Sequence, residues 1–229
     1  MEPEYGTFLH DKGYQFDTVV GNTLVDMYAK CGIPAKAQEV LEELPIRNIV
    51  SWNALIAGYA QEGQGYEALK CFEQLKRSGL SPNEVTLLSS LTACAHSGLL
   101  HEAQLLFTEM MTKYGISPNL QHHTCMVFAY GNAGLFWEAM SVIKAMPSFD
   151  NAAIWLALLS SCLKWGNVRL GRLAFAQALQ MENDCSAAYI LMANTFAAAG
   201  MQDDAERVET IKLKYAARSK EERKLCDTL

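Results

Sequence analysis

Positive charge is scarce in this chain. Among 229 residues, Lys and Arg number 19 against 25 Asp and Glu, a formal net charge of −6. That balance argues against strong, sequence-blind phosphate binding, which draws on many cations and released counterions. A local groove that reads bases stays open. Long apolar runs are missing too. The longest, Ala152–Leu159, has eight residues, far short of the ~20 that cross a bilayer, so no membrane partner is expected. The seven cysteines stand 23 or more residues apart with no CxxC. Such spacing gives neither a zinc signature nor a compact disulfide framework. Their odd number fits a reducing compartment, with buried thiols as small hydrophobes. No segment alternates with period two, so no strand is expected. The opening, MEPEYGTFLHDKGYQFD, has no apolar stretch for a secretory signal, and it carries acids without Arg, unlike a transit peptide. Any address is expected to be absent or upstream. With 50% hydrophobic and 19% charged residues, wholesale disorder is excluded.

What the chain has is a repeat. Glycines fall at Gly32, Gly63, Gly98, Gly134, Gly166 and Gly200, spaced 31, 35, 36, 32 and 34 apart. Four residues before each stand Tyr28, Tyr59, Cys94, Tyr130, Cys162 and Phe196. Five residues after each stand Ala37, Ala68, Ala103, Ala139, Gly171 and Ala205. Periods in this range mark stacked supersecondary units. Each unit reads as two helices. An apolar stripe at helical spacing precedes the glycine, as in Leu55, Ile56 and Tyr59. The glycine suits a left-handed C-terminal cap. A second amphipathic helix follows, such as Tyr66–Lys76 or His101–Met111, and the small column lets the two helices approach. Such pairs cannot bury their faces alone, so they stack into a solenoid with a continuous core.

The residues narrow the family. VVGNTLVDMYAKCGIPAKAQEVLEELPIRN (Val19–Asn48) and NIVSWNALIAGYAQEGQGYEALKCFEQLKRSGLSPN (Asn48–Asn83) resemble pentatricopeptide repeats. Tetratricopeptide repeats share the helix pair and period but lack the Asn before each first stripe and the Pro-Asn ending. The unequal lengths resemble the plant subgroup that alternates standard, long and short repeats. The resemblance implies an all-α fold, a right-handed α-α superhelical solenoid of stacked antiparallel helix pairs. Residues 1–17 look like the tail of a partial repeat. Four repeats follow at 18–48, 49–83, 84–119 and 120–151. Residues 152–214 resemble two extension motifs, AAIWLALLSSCLKWGNVRLG and SAAYILMANTFAAAGMQDDAERVETIK, found in RNA-editing members. Residues 215–229 form a C-terminal tail without the tryptophan-containing box that usually follows. The chain begins inside a repeat, as a fragment or shortened relative would.

The resemblance also implies a site. The fifth residue of a repeat and its last residue together face one RNA base. The pairs are Asn22 with Asn48, Asn53 with Asn83, Leu88 with Asn119, and Thr124 with Asn151. In the family's code Asn with Asn favours a pyrimidine, especially C; Thr with Asn favours A; Leu gives no reading. The second-place residues Val19, Val50 and Val85 sandwich bases, and Gln121 departs from that apolar pattern. The implied target, with Y a pyrimidine and N any base, is Y-Y-N-A-N-N-N-C, the final C being edited. One base per helical repeat is a known mode of reading single strands. The same asparagines suit turns and helix N-caps.

Other residues point elsewhere. His122 and His123 with Cys125 suggest a metal only weakly, because adjacent helical residues project in different directions. Trp52, Trp155 and Trp165 read as packing residues. Lys212, Lys214, Arg218 and Lys220 form an interrupted basic stretch, read first as a solvated helix end and second as a phosphate or partner contact. No HxE with a later PCxxC appears, so the zinc deaminase signature is missing. No clustered nucleophile, base or metal ligands are found. No catalytic residues, metal or cofactor are therefore expected, and the chain reads as no enzyme. The resemblance implies a sequence-specific adaptor for single-stranded organellar RNA, in mitochondrion or chloroplast. Its partner would be a trans-acting deaminase or editing accessory protein. A protein–protein scaffold, or a splicing or stability factor, are the alternatives.

Overall fold

The computed structural model describes residues 18–146, 151–182 and 185–213. Pro147, Lys214, Arg218, Lys220, Cys226, the expected partial repeat at 1–17 and the tail at 215–229 lie outside them. Every regular element described is helical, and no strand occurs among the described residues. The expectation of an all-α chain of helix pairs is met.

The chain divides into two compact units, the first ending at Pro118 and the second starting at Asn119. The first unit holds α1 (Thr18–Lys30), α2 (Pro34–Glu43), α3 (Ile49–Gln61), α4 (Gly65–Arg77), α5 (Glu84–Ser97) and α6 (Leu100–Thr112). Here α3 packs against both α1 and α5, so successive first helices of each pair stack side by side. Val25, Leu41, Leu55, Ile56, Leu75, Leu87, Leu91 and Met110 fill the space between them, each fully buried. The second unit holds α7 (Leu120–Asn132), α8 (Phe136–Ala145), α9 (Ala152–Trp165), α10 (Val168–Met181) and α11 (Ser186–Ala198). Helical residues 202–213 follow. Val127, Ile154, Leu158, Leu159, Cys162 and Met192 form its core. No described helix is long and apolar enough to cross a membrane.

One turn, made six times, explains why the sequence columns keep in phase. The residue after each periodic glycine donates its backbone N–H to the carbonyl of the residue four before that glycine. Ile33 bonds to Tyr28, Gln64 to Tyr59, Leu99 to Cys94, Leu135 to Tyr130, Asn167 to Cys162 and Met201 to Phe196, at 2.9–3.0 Å. This bond closes a helix end only when the glycine is left-handed, as Gly98 is at φ 72° and Gly166 at φ 62°. A Cβ at such φ is strained. Ala37, Ala68, Ala103 and Ala139, five residues on, are fully buried. They let each second helix lie close to the first.

Among the described residues cysteine burial departs from expectation at two places, Cys31 and the half-buried Cys125. Cys71, Cys94 and Cys162 are buried, and burial pushes each thiol up to about 12. Cys31 is exposed, because it sits in the turn just past α1. Trp165 also departs from a purely buried role. Trp52 and Trp155 are in the core, whereas Trp165 is 53% exposed. It lies over Gly134 and donates Nε1–H to the Gly131 carbonyl at 3.0 Å, tying α9 to the turn before α8.

Candidate nucleic-acid interface

The first helices of successive pairs start alike. Asn48 caps α3, its Oδ1 accepting from the N–H groups of Val50 and Ser51 at 2.9 and 3.1 Å. Asn83 caps α5 through the Thr86 N–H at 3.0 Å. Asn119 caps α7 through Gln121 and His122 at 3.0 and 3.2 Å. Asn151 caps α9 through Ala153 at 2.8 Å. The capping role of these residues is therefore real. It also fixes what else they can do. A helix N-terminus leaves its first N–H groups without partners, so it takes the carbonyl oxygen of the asparagine. In Asn48, Asn83 and Asn151 the Nδ2 protons are not used by the cap, and these asparagines offer donors to whatever lies in front of them.

One turn into each helix sits the other member of each pair. Asn53 is half-buried on α3 and meets Asn83 directly, Nδ2 donating to Asn83 Oδ1 at 3.2 Å. Asn22 is half-buried on α1, and its Oδ1 is buried with no hydrogen-bond partner among the described residues. Thr124 is half-buried on α7 and donates its hydroxyl proton to the Leu120 carbonyl at 2.8 Å, which leaves Oγ1 lone pairs as acceptors. Leu88 is half-buried on α5 of the first unit. Its expected partner, Asn119, opens the second.

Beside these polar groups stand exposed apolar side chains. Val19, Val50 and Val85 are 68%, 60% and 55% exposed. Core-sized side chains left in water at the same place in the first helices α1, α3 and α5 form a row of apolar platforms. Gln121 is the exposed residue in that place on α7. Ionised side chains take no part in the Asn53–Asn83 contact, which is built from neutral amides.

Two features were missed in the sequence. Thr86, fully buried, places its hydroxyl 2.6 Å from Asn53 Oδ1 as well as against Asn83. Its spacing from Asn83 is that of a capping box, which was a readable signal for the cap but not for the contact with Asn53. The two histidines have the second role. His122 Nδ1 lies 2.7 Å from Asn119 Oδ1, and His123 Nδ1 lies 2.8 Å from Asn119 O. Both rings are engaged with the cap. Among the described residues no three His, Cys, Asp or Glu side chains converge as metal ligands would.

Known proteins place this architecture. The model of the PPR repeat family matches residues 47–96, and that of the single PPR repeat matches 22–49, 91–114 and 122–150. An E motif model matches residues 165–221. A pentatricopeptide repeat-containing protein of Arabidopsis thaliana is 39% identical over 201 residues, covering 86% of this chain and 31% of its own length. One from the same plant named as mitochondrial is 36% identical over 195 residues, 85% of this chain and 42% of its own. One named as chloroplastic is 37% identical over 206 residues, 88% and 37%. The chain thus spans well under half the length of these relatives. Its fold is similar to that of the pentatricopeptide repeat protein PPR10 crystallised with an 18-nucleotide psaJ RNA element. That match has a TM-score of 0.72 at 20% identity and covers 91% of this chain and 32% of the other. The repeated turn, the capped first helices and these matches together show that the chain belongs to the pentatricopeptide repeat family and carries an E motif.

Proposed function

We propose that the chain is a sequence-specific adaptor for single-stranded RNA in an organelle, acting in cytidine-to-uridine editing with a deaminase recruited in trans. It holds RNA and does no chemistry itself. The observation that carries the base-reading part is the Asn53–Asn83 contact. Two neutral amides from the two ends of one repeat meet beside exposed Val50 and Val85, with protons left to offer a base edge. A base lying between the two valines would cover apolar surface on both of its faces while the amides address its Watson–Crick edge. Stacking on aromatic platforms contributes about 1–3 kcal/mol per base, and valine contributes less. The E motif match and relatives named for mitochondria and chloroplasts support the organellar editing part. In this reading the pairs specify Y-Y-N-A, four nucleotides upstream of the edited C.

Sequencing of organellar transcripts from plants with and without the protein tests it. The expected result is loss of editing at a cytidine preceded by Y-Y-N-A-N-N-N. Unchanged editing at every such site would overturn the editing role.

A further inference from the structure

We propose that Thr86 is a positioning residue that makes the Asn53–Asn83 pair selective for cytosine over uracil. The inference rests on the base-reading function proposed above and deepens it. Thr86 is the third residue of the repeat that follows the pair, and it touches both members. Its hydroxyl lies 2.6 Å from Asn53 Oδ1 and 2.9 Å from Asn83 Oδ1; the shorter contact takes its one proton, and the hydroxyl accepts from the Asn83 backbone N–H at 3.2 Å. Its own N–H donates to Asn83 Oδ1 at 3.0 Å. Asn53 Nδ2 closes the ring on Asn83 Oδ1 at 3.2 Å. Thr86 is fully buried, so water does not compete for its hydroxyl.

The ring fixes which way each amide points. A carboxamide has an acceptor end and a donor end, and a half-turn of its last torsion exchanges them. Asn83 cannot turn without withdrawing its oxygen from the start of α5. Asn53 cannot turn without setting its oxygen against the Asn83 oxygen and away from the Thr86 proton. Both carbonyl oxygens therefore point into the ring. What remains for a base is one proton on Asn53 Nδ2 and those on Asn83 Nδ2, all donors. Cytosine presents two adjacent acceptors, O2 and N3, to such an edge. Uracil places an N3–H donor between its two carbonyls, so donor faces donor.

The pair one repeat earlier supplies the contrast. Ser51 occupies the place of Thr86, but its hydroxyl donates to the Asn48 carbonyl at 2.9 Å. Asn22 Oδ1 is left buried with no partner among the described residues. Among the described residues no hydrogen bond holds the Asn22 oxygen, so Asn22–Asn48 should take cytosine and uracil with less preference.

The test is equilibrium binding of the purified chain to single-stranded RNAs that differ only at the first or second base of Y-Y-N-A. At the second base the wild type should prefer C to U by at least about fivefold, in the range of a single base mismatch. Thr86→Val keeps the shape and burial but removes the hydroxyl. It should bring that ratio below about twofold, on the same scale, while the preference for A at the fourth base stays. Thr86→Ser should restore the ratio. A Thr86 that serves the cap alone would weaken binding to all RNAs alike in Thr86→Val and leave the C:U ratio untouched, which overturns the inference. Should Thr86→Val fail to fold, the wild type decides: equal C:U ratios at the first and second bases overturn it. A wild type that tells pyrimidine from purine at neither base overturns the base-reading function on which it rests.

Discussion

The carboxamide of Asn83 has two ends, and the start of α5 uses only one. Its oxygen serves the helix at 3.0 Å from the Thr86 N–H, and its nitrogen faces outward. Capping and reading can therefore be separated in a single substitution. Asn83→Asp keeps an oxygen for the cap and for Asn53, and a carboxylate at a helix N-terminus is favoured by the macrodipole. Stability should change by less than about 0.5 kcal/mol, since Asn and Asp cap equally well. The donors presented to the base become acceptors, which suit the N3–H of uracil. Preference at the second base should move from C towards U in a binding series read beside a melting curve. An unchanged preference would reduce Asn83 to a cap. The asparagines were legible in the sequence because their spacing follows the repeat. The role of Thr86 was not. A hydroxyl three residues after a cap reads as a capping box, and only the fold brings Asn53, thirty residues before Asn83, onto the same hydroxyl.

Close approach of helices has two sources, and only one was visible beforehand. The small column five residues after each turn glycine was read from the sequence, and its alanines are buried as expected. Gly171 is the member of that column without a methyl group. A Cβ built there meets Leu159, Thr195 and Cys162 at 3.5–3.6 Å, ordinary contact distances. Gly171→Ala should therefore stabilise the second unit by about 0.5–1 kcal/mol, the helix-propensity difference. Gly58 lies outside the column, within α3, and a Cβ there would stand 2.7 Å from Ala29 Cβ and 3.0 Å from Ala29 Cα. That backbone belongs to α1, so relief requires two stacked first helices to separate. Gly58→Ala should destabilise the first unit by about 1–3 kcal/mol, as overpacking does. Urea unfolding of the two variants checks both signs, and a destabilised Gly171→Ala or a neutral Gly58→Ala would contradict the packing described. The contact was hidden in the sequence because it joins residues of successive repeats that share no column.

At the scale of the whole molecule, period and charge pull in different directions. The glycine period made the stacked helix pairs legible before any coordinate, because one backbone-bonded turn recurs at every unit. The charge did not announce a nucleic-acid protein. Residues 1–202 carry 12 basic and 18 acidic side chains, and the remaining residues balance at seven of each. A body of that charge neutralises few phosphates, so its affinity for RNA should fall only gently with added salt. On the function proposed above, specificity would come from amide edges and valine platforms, with modest affinity from four expected repeats of which three carry a readable pair. The most direct measurement is equilibrium binding of the purified chain to a Y-Y-N-A RNA and to its scrambled counterpart at matched salt. Tighter binding to Y-Y-N-A, maintained as salt rises, is the expected result. Equal affinity for the two strands would contradict it.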